Sequence, residues 1–356
     1  MQDIKIAVLE GDDIGKELIP ATLSVLHAAC KLTNLDITWI NLLIGVDAHN
    51  KYGDTYPKET ADVLDNVIGI IAGPIGHNTY PRNDNTWRIP PLRKQFEMFA
   101  SVKPIHSYKN IPSYKNNIDI IFVREVTEGL LSSETIVAGS AEYRPNDDIT
   151  ISSRVITRKG ANRVAREAFK IAKYYNRKKV TAAHKEPVYR LSCGMFIEEC
   201  RKVSLDFPDI SYEEKLIDTT AMHLITSPED FDVVVTTNQF GDILTDLGAG
   251  LVGSLGLAPG LCIGENKAMA QATHGSAPDI AGQDIANPYA LIVSSAMLLE
   301  WIGNKLNIDK ANVAAKNIIQ SVDTVLESGI NITKDIGGVS GTKEMTNAII
   351  ENLKYS

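Results

Sequence analysis

The sequence predicts an α/β protein built on a largely parallel sheet, and three observations carry that expectation. Short apolar runs recur along the chain. Stretches with helical periodicity separate them, and turn residues close several of the runs. Strands and helices that alternate in this way belong to the α/β class. The first run, residues 4–9, reads as a buried strand. It enters the turn Gly11-Asp12-Asp13-Ile14-Gly15, and residues 16–32 then show helical periodicity. Residues 67–72 form a second buried run that ends in Gly73-Pro74. Residues 118–123, 180–183 and 232–236 are three more. Helical patterns fill residues 161–175, 194–203, 288–306 and 310–326. Residues 132–157 are rich in strand formers and are expected to make a hairpin or an arm.

At 356 residues the chain is long for one domain and comfortable for two. No repeat and no Pro/Gly/Ser-rich linker divides it, so a two-domain chain is expected to cross between its domains more than once. The formal charge of −8 argues against a nucleic-acid partner, which needs a basic face. No apolar run approaches the roughly 18 residues of a membrane span. The N-terminus lacks the pattern of a signal peptide. Cys30, Cys193, Cys200 and Cys262 form no C-x-x-C pair and read as reduced, buried thiols. The expectation is a soluble cytoplasmic protein with no membrane or nucleic-acid partner.

Chemistry concentrates in four places. In the first, a buried strand runs through Asn238-Gln239-Phe240-Gly241 into a helix that carries Asp242 and Asp246. Four residues apart, these acids share one helix face. Their repulsion is relieved by a hard cation such as Mg²⁺ or Mn²⁺ between them. Solvated acids at a helix N-terminus fit the spacing equally well, although the Gly-rich, apolar continuation over residues 247–260 favours a buried site. The second place is Thr273-His274-Gly275-Ser276-Ala277-Pro278-Asp279-Ile280, followed by Asn287. Its small residues let a ligand approach the backbone, and an acid there can accept ribose hydroxyls. An ordinary surface loop would read the same way. No G-x-G-x-x-G occurs, which argues against a Rossmann fold. The third is His184-Lys185 at a strand end, and the fourth is the cation set Arg93, Lys94, Lys103 and Arg124. Each is a candidate base or carboxylate clamp, and each taken alone is more often a surface charge.

Taken together and in this order, these segments resemble the isocitrate/isopropylmalate dehydrogenase family of metal-dependent β-decarboxylating dehydrogenases. The resemblance runs from the 11–15 turn through Leu92-Arg93-Lys94, residues 99–104 and Arg124-Glu125-Val126-Thr127-Glu128-Gly129 to Asp335-Ile336-Gly337-Gly338. It implies a two-domain fold, not Rossmann, around one shared mixed sheet of ten strands. Residues 1–98 plus 251–356 would form the cofactor-binding domain, and 99–250 the second domain with a dimerisation arm. It implies a homodimer whose sites are shared: Lys185, as base, and Asp218 of one subunit would meet Asp242 and Asp246 of the other around Mg²⁺ or Mn²⁺. Arg93, Lys103 and Arg124 would bind the carboxylates of a small hydroxy acid. His274, Gly275, Ser276, Ala277, Pro278, Asp279, Ile280 and Asn287 would hold the cofactor. Asp279, where many NADP-dependent members carry Lys, points to NAD.

The sequence departs from the family pattern at four places. Leu131 stands where the family has its proton-donating tyrosine, and Lys103 replaces an arginine and loses its bidentate fork. Pro187 replaces an asparagine, with Glu186 before it, and Gln271 replaces a frequent glutamate. An altered substrate, or slow or water-mediated protonation, accommodates Leu131. Family specificity is set just before Arg93, where this chain has Trp87, Ile89 and Pro90. An apolar wall there suits a 3-isopropylmalate-like substrate, oxidised with decarboxylation, because an extra carboxylate would be desolvated without a partner. Oxidation of D-malate, tartrate, isocitrate or homoisocitrate is the alternative, and a catalytically silent ligand-binding relative the second alternative.

Overall fold

The computed structural model describes residues 3–76, 78–81, 84–132 and 141–353. Twelve strands are described: β1 Lys5–Leu9, β2 Thr38–Leu42, β3 Gly69–Ala72, β4 Ala100–His106, β5 Asp119–Glu125, β6 Glu142–Asn146, β7 Ile149–Ser152, β8 Lys179–His184, β9 Ser211–Leu216, β10 Val233–Thr236, β11 Leu261–Ile263 and β12 Ala268–Ala270. The helices are α1 Gly15–Thr33, α2 Gly45–Tyr52, α3 Lys58–Leu64, α4 Leu92–Gln95, α5 Arg158–Tyr174, α6 Ser192–Ser204, α7 Ile217–Thr226, α8 Asn238–Leu251, α9 Tyr289–Leu306, α10 Asp309–Ser328 and α11 Thr342–Asn352.

Ten strands form one sheet in the order β2-β1-β3-β12-β11-β4-β5-β10-β8-β9. The strands of residues 1–98 and 251–356 are neighbours in this order, and so are those of residues 99–250. Both ends of the sheet are parallel, as the alternation of strands and helices predicts. The middle is antiparallel, from β12 through β11 and β4 to β5. The expectation of a largely parallel sheet therefore holds at the two flanks and fails at the centre. The reason is local: β11 and β12 are three residues each, too short to show a period, and they return from late in the chain to fill the centre. Both edge strands are incompletely buried, and β9 carries Glu213, Glu214 and Lys215, charges that discourage edge-to-edge pairing.

Helices cover the sheet where the apolar periodicity places them. Helices α1, α9, α10 and α11 pack on one another, and α5 packs on α6 and on β5 and β10. Left-handed residues stop three of them: Asn34 after α1, Asn307 after α9 and Gly329 after α10. The β1–α1 turn is pressed onto the end of β3. Gly11 has φ +74°, and a Cβ there would lie 2.3 Å from the Pro74 carbonyl oxygen. Asp12, buried in this turn, accepts hydrogen bonds from the Val46 and Gly76 amides (2.8 Å each) and from the Tyr80 hydroxyl at 2.5 Å. One carboxylate thus holds three loops at the rim of the sheet.

Phe122 is completely buried on β5 and packs against α8. A Cβ on Gly248 would stand 3.0 Å from its ring. The hairpin expected within residues 132–157 is present as β6–β7, and every residue of its two strands is exposed. Residues 133–140 of that stretch lie outside the described residues. No helix among the described residues is long and apolar enough to cross a membrane.

Phe122→Ala should cost ~3–5 kcal/mol, because the lost ring leaves a cavity between β5 and α8. Denaturant unfolding checks this, and a loss under about 1 kcal/mol would contradict the packing described.

Candidate active site

The carboxyl ends of β3 and β5 open onto a cleft, where ligands of open α/β sheets usually bind. A cavity of about 580 Å³ lies there, bounded by residues from both halves of the sheet. Arg93 and Lys94 of α4, Lys103 of β4, Arg124 of β5 and Asp242 and Asp246 of α8 all line it. The Thr273-His274-Gly275 end of the long loop borders it too. A protein with a net charge of −8 therefore concentrates four cations against two acids in one cavity. That charge pattern suits a small polyanion.

Arg124 is the most constrained of these side chains. It is 6% exposed, and its Nε and Nη2 both donate to Asn238 Oδ1, at 3.1 and 2.7 Å. Its Nη1 donates to Asp242 Oδ1. The Asn238 amide in turn donates to the Glu128 carbonyl at 2.8 Å. This requires a helix without a side chain where Arg124 passes. At Gly241 a Cβ would lie 2.6 Å from Arg124 Cγ. Burial lowers the guanidinium pKa from its usual value, and Asp242 opposes that shift.

Arg93 donates through Nη2 to Gln271 Oε1 at 3.1 Å. The glutamine thus orients the arginine without cancelling its charge, which a glutamate at this position would do. Lys103 is 7% exposed and donates through Nζ to Thr245 Oγ1 at 3.2 Å. Burial, and next the Arg124 charge, push its pKa down to about 8. Burial raises the Asp246 carboxyl above its ordinary value; Lys103 pulls the other way, and Asp242 adds to the rise.

Not every predicted residue joins this group. Lys185 and Asp218 do not border the cavity; they pair with each other, Nζ to Oδ1 at 2.7 Å. That lysine bond holds the Asp218 carboxyl below its usual range. Among the described residues no three His, Cys, Asp or Glu side chains gather closely enough to hold a metal. Asp242 and Asp246, one helical turn apart on the cavity wall, still fit a hard cation. They are oxygen donors, and the ionised form of Asp246 is costly without a counter-charge. They are two donors, fewer than a hard cation's full coordination shell.

Ile89 lines the cavity and is 57% exposed, whereas Trp87 turns away. The Trp87 ring stacks on His49 at 4.0 Å and meets Tyr80 edge-on, so it anchors the loop instead of facing a ligand. Leu131, at 47% exposure, lines the same cavity. In the long loop, Asp279 is exposed and Ala277 takes φ +43°, an unusual value for a residue with a side chain. The Ser276 carbonyl accepts from the Ile14 amide at 3.2 Å, which ties the loop to the β1–α1 turn. Pro278 and Ile280 continue the same turn, the Ile280 amide donating to the Ala277 carbonyl. Asn287 is buried, donates to Asp335 Oδ2 at 3.1 Å and accepts from the Tyr289 amide at 3.0 Å. Two polar atoms here are buried without a hydrogen-bond partner, Thr273 Oγ1 and His274 Nε2. Both residues border the cavity, so these orphaned atoms fit a polar cofactor laid along the loop.

Sequence reasoning missed Asn238 as the anchor of Arg124, and Thr273 as an orphaned donor. A buried polar residue at an apolar strand-to-helix junction was the available signal for Asn238. Nothing in the local pattern distinguishes Thr273.

With this geometry in place, comparison with known proteins gives a consistent picture. The sequence profile of the isocitrate/isopropylmalate dehydrogenase family matches residues 5–349. The isocitrate/homoisocitrate dehydrogenase of Thermus thermophilus is 38% identical over 357 residues, covering 98% of each chain. The homoisocitrate dehydrogenase of Methanocaldococcus jannaschii is also 38% identical, over 99% of this chain and 98% of its own length. The 3-isopropylmalate dehydrogenase of Methanothermobacter thermautotrophicus is 36% identical, over 99% and 100%. The crystal structure of isocitrate dehydrogenase from Methylococcus capsulatus superposes with a TM-score of 0.87 at 36% identity, covering 99% of both chains. Motif order, mixed ten-stranded sheet and cleft all agree, and the chain belongs to the isocitrate/isopropylmalate dehydrogenase family.

Proposed function

We propose that this protein is an NAD- and Mg²⁺- or Mn²⁺-dependent dehydrogenase that oxidises and decarboxylates a 3-substituted malate of the 3-isopropylmalate kind. The observation that carries the reading is the cavity itself. Cations for two carboxylates stand opposite an acidic helix face, and Ile44, Ile75, Ile89 and Pro90 make an apolar wall beside them. Arg93, Lys103 and Arg124 bind the carboxylates. Asp242 and Asp246 are the metal ligands of this chain, and Asp218 of a second copy is the third. The metal supplies Lewis acidity that lowers the substrate hydroxyl pKa. The 274–280 loop and Asn287 would hold the cofactor, which would supply a hydride acceptor next to the hydroxyl-bearing carbon. The free Asp279 carboxylate favours NAD over NADP, because it would repel a 2′-phosphate.

Lys185 takes the hydroxyl proton, directly or through water, and Asp218 holds its ammonium in place. Because this pair does not border the cavity of its own chain, we assign it to the site of a second copy. The surface supports a homodimer with shared sites. Leu191 is 89% exposed, Val188 64% and Ile243 60%, and the fully exposed β6–β7 hairpin presents Tyr143 and Ile149 to solvent. A lone two-stranded hairpin of this kind is marginally stable without a partner surface. We divide the chain into residues 1–98 plus 251–356 and residues 99–250, the cleft lying between the two.

A second reading has its own observation. Lys94 lines the cavity and is exposed, so it can meet the additional carboxylate of isocitrate or homoisocitrate. Relatives with those names match as well as those named for 3-isopropylmalate.

Two measurements test the assignment. NADH formation with Mn²⁺ should be fastest with 3-isopropylmalate in a panel that includes malate, tartrate, isocitrate and homoisocitrate. Lys94→Met should then change its kcat/KM by less than about threefold, whereas a loss of about tenfold or more with homoisocitrate establishes the second reading. No NADH from any member of the panel would contradict both. Asp246→Asn should abolish the rise in Tm that Mg²⁺ gives the wild type. Its metal-free form should melt no lower than wild type at neutral pH. The folded Asp246 pKa is raised, so the folded state loses stability as pH rises through it, and the amide removes that loss. A metal-dependent Tm shift that survives the substitution would contradict the ligand assignment.

A further inference from the structure

Decarboxylation leaves an enolate, and the family's usual proton donor is absent, since Leu131 has no exchangeable proton. The proton must come from another group on the cavity wall or from water. We propose that Lys103 is the acid that protonates the enolate, a catalytic role additional to carboxylate binding. The proposal rests on the decarboxylating reading above.

The geometry singles Lys103 out among the titratable groups of the described cavity lining. Arg93 and Arg124 do not surrender protons. Asp242 accepts from Arg124, and Asp242 and Asp246 form the acidic face assigned to the metal. His274 belongs to the cofactor loop, and Lys94 is exposed at the rim. Cys262 would leave a new thiolate behind, whereas an ammonium that gives up its proton becomes neutral. Lys103 lies on β4, and no carboxylate of the described residues stands within 4.0 Å of its Nζ. Among the described residues its one hydrogen bond is to the neutral Thr245 hydroxyl. Arg93 on α4 and Arg124 on β5 face it as like charges; Asp246 on α8 and Cys262 on β11 are the groups that favour its charged form. Burial and these arginines already lower its pKa to about 8.

The timing follows from the charges. While the substrate's 3-carboxylate is present, it stabilises the Lys103 ammonium. The bond from C3 to the carboxylate carbon then breaks, its electron pair forms the C2–C3 double bond of the enolate, and CO₂ leaves uncharged. Lys103 loses its counter-charge and becomes most acidic as C3 becomes basic. An N–H bond breaks, a C3–H bond forms, the enolate oxygen returns to a carbonyl, and water reprotonates the neutral amine.

The reverse half of this step needs neither NAD nor CO₂. The purified protein in D₂O with Mg²⁺ is given 4-methyl-2-oxopentanoate, or 2-oxoadipate, and exchange at C3 is followed by NMR. Wild type should exchange C3 hydrogens, with a rate that rises as pH passes the Lys103 pKa, because removal needs the free amine. Forward turnover should fall over the same range, because delivery needs the ammonium. Lys103→Arg keeps the charge and should still bind the oxo acid, yet lose exchange by roughly 100-fold. Adding Leu131→Tyr to that variant should restore part of it. Exchange by Lys103→Arg at the wild-type rate and with the wild-type pH profile overturns the Lys103 role while leaving the dehydrogenase reading intact. Absence of NADH from every hydroxy acid overturns the reading itself, and the proposal with it.

Discussion

The buried guanidinium of Arg124 is the constraint on which the rest of the site depends. A charge on a central strand, 6% exposed, is tolerable only if its donors are met. Asn238 and Asp242 meet them, and both lie in the first turns of α8. Satisfying one arginine therefore fixes the approach of a whole helix to the end of β5. It requires a glycine at 241, and it turns the acidic face of α8 toward the cleft. Phe122 seals the same helix from the apolar side. The electrostatic and hydrophobic demands of β5 thus agree on one position for α8.

Under the proposed function, that position leaves the cation site half-built and makes a second surface important. Two carboxylates on one helix can begin a coordination shell for a hard cation but do not complete it. The remaining acid, Asp218, and the candidate base, Lys185, are bonded to each other away from the cavity. The exposed hairpin and the apolar side chains at Leu191, Val188 and Ile243 give the proposed second copy a surface to cover. Dimerisation and catalysis are, on this account, one requirement.

Much of this was legible in the sequence, for physical reasons that differ by element. β1, β5 and β10 are buried on both faces, so they read as unbroken apolar runs, and α1, α9 and α10 are long enough to display their period. β11 and β12 were not legible. Three residues carry no periodicity, and their place in the sheet depends on partners far away in the chain. In the site, Asp242 and Asp246 were visible as a pair but ambiguous as a function, because repulsion at four-residue spacing is relieved equally by solvent or by a cation. The order of motifs around them pointed to a cation, and the structure adds that Arg93, Lys103 and Arg124 line the same cavity. Trp87 was expected at the specificity wall by its position relative to Arg93, yet aromatic stacking on His49 draws it away. Ile89 does line the cavity, as an alternating loop would allow.

The shared site is the central claim, and a mixed dimer tests it most directly. Lys185→Met and Asp242→Asn chains, each inactive alone, are unfolded, mixed in equal amounts and refolded together. If each site joins Asp242 of one chain to Lys185 of the other, hybrid dimers hold one intact site, and the mixture recovers about a quarter of wild-type NADH formation. If both residues serve the same chain's site, no hybrid contains an intact site, and a mixture that stays as inactive as its components contradicts the account.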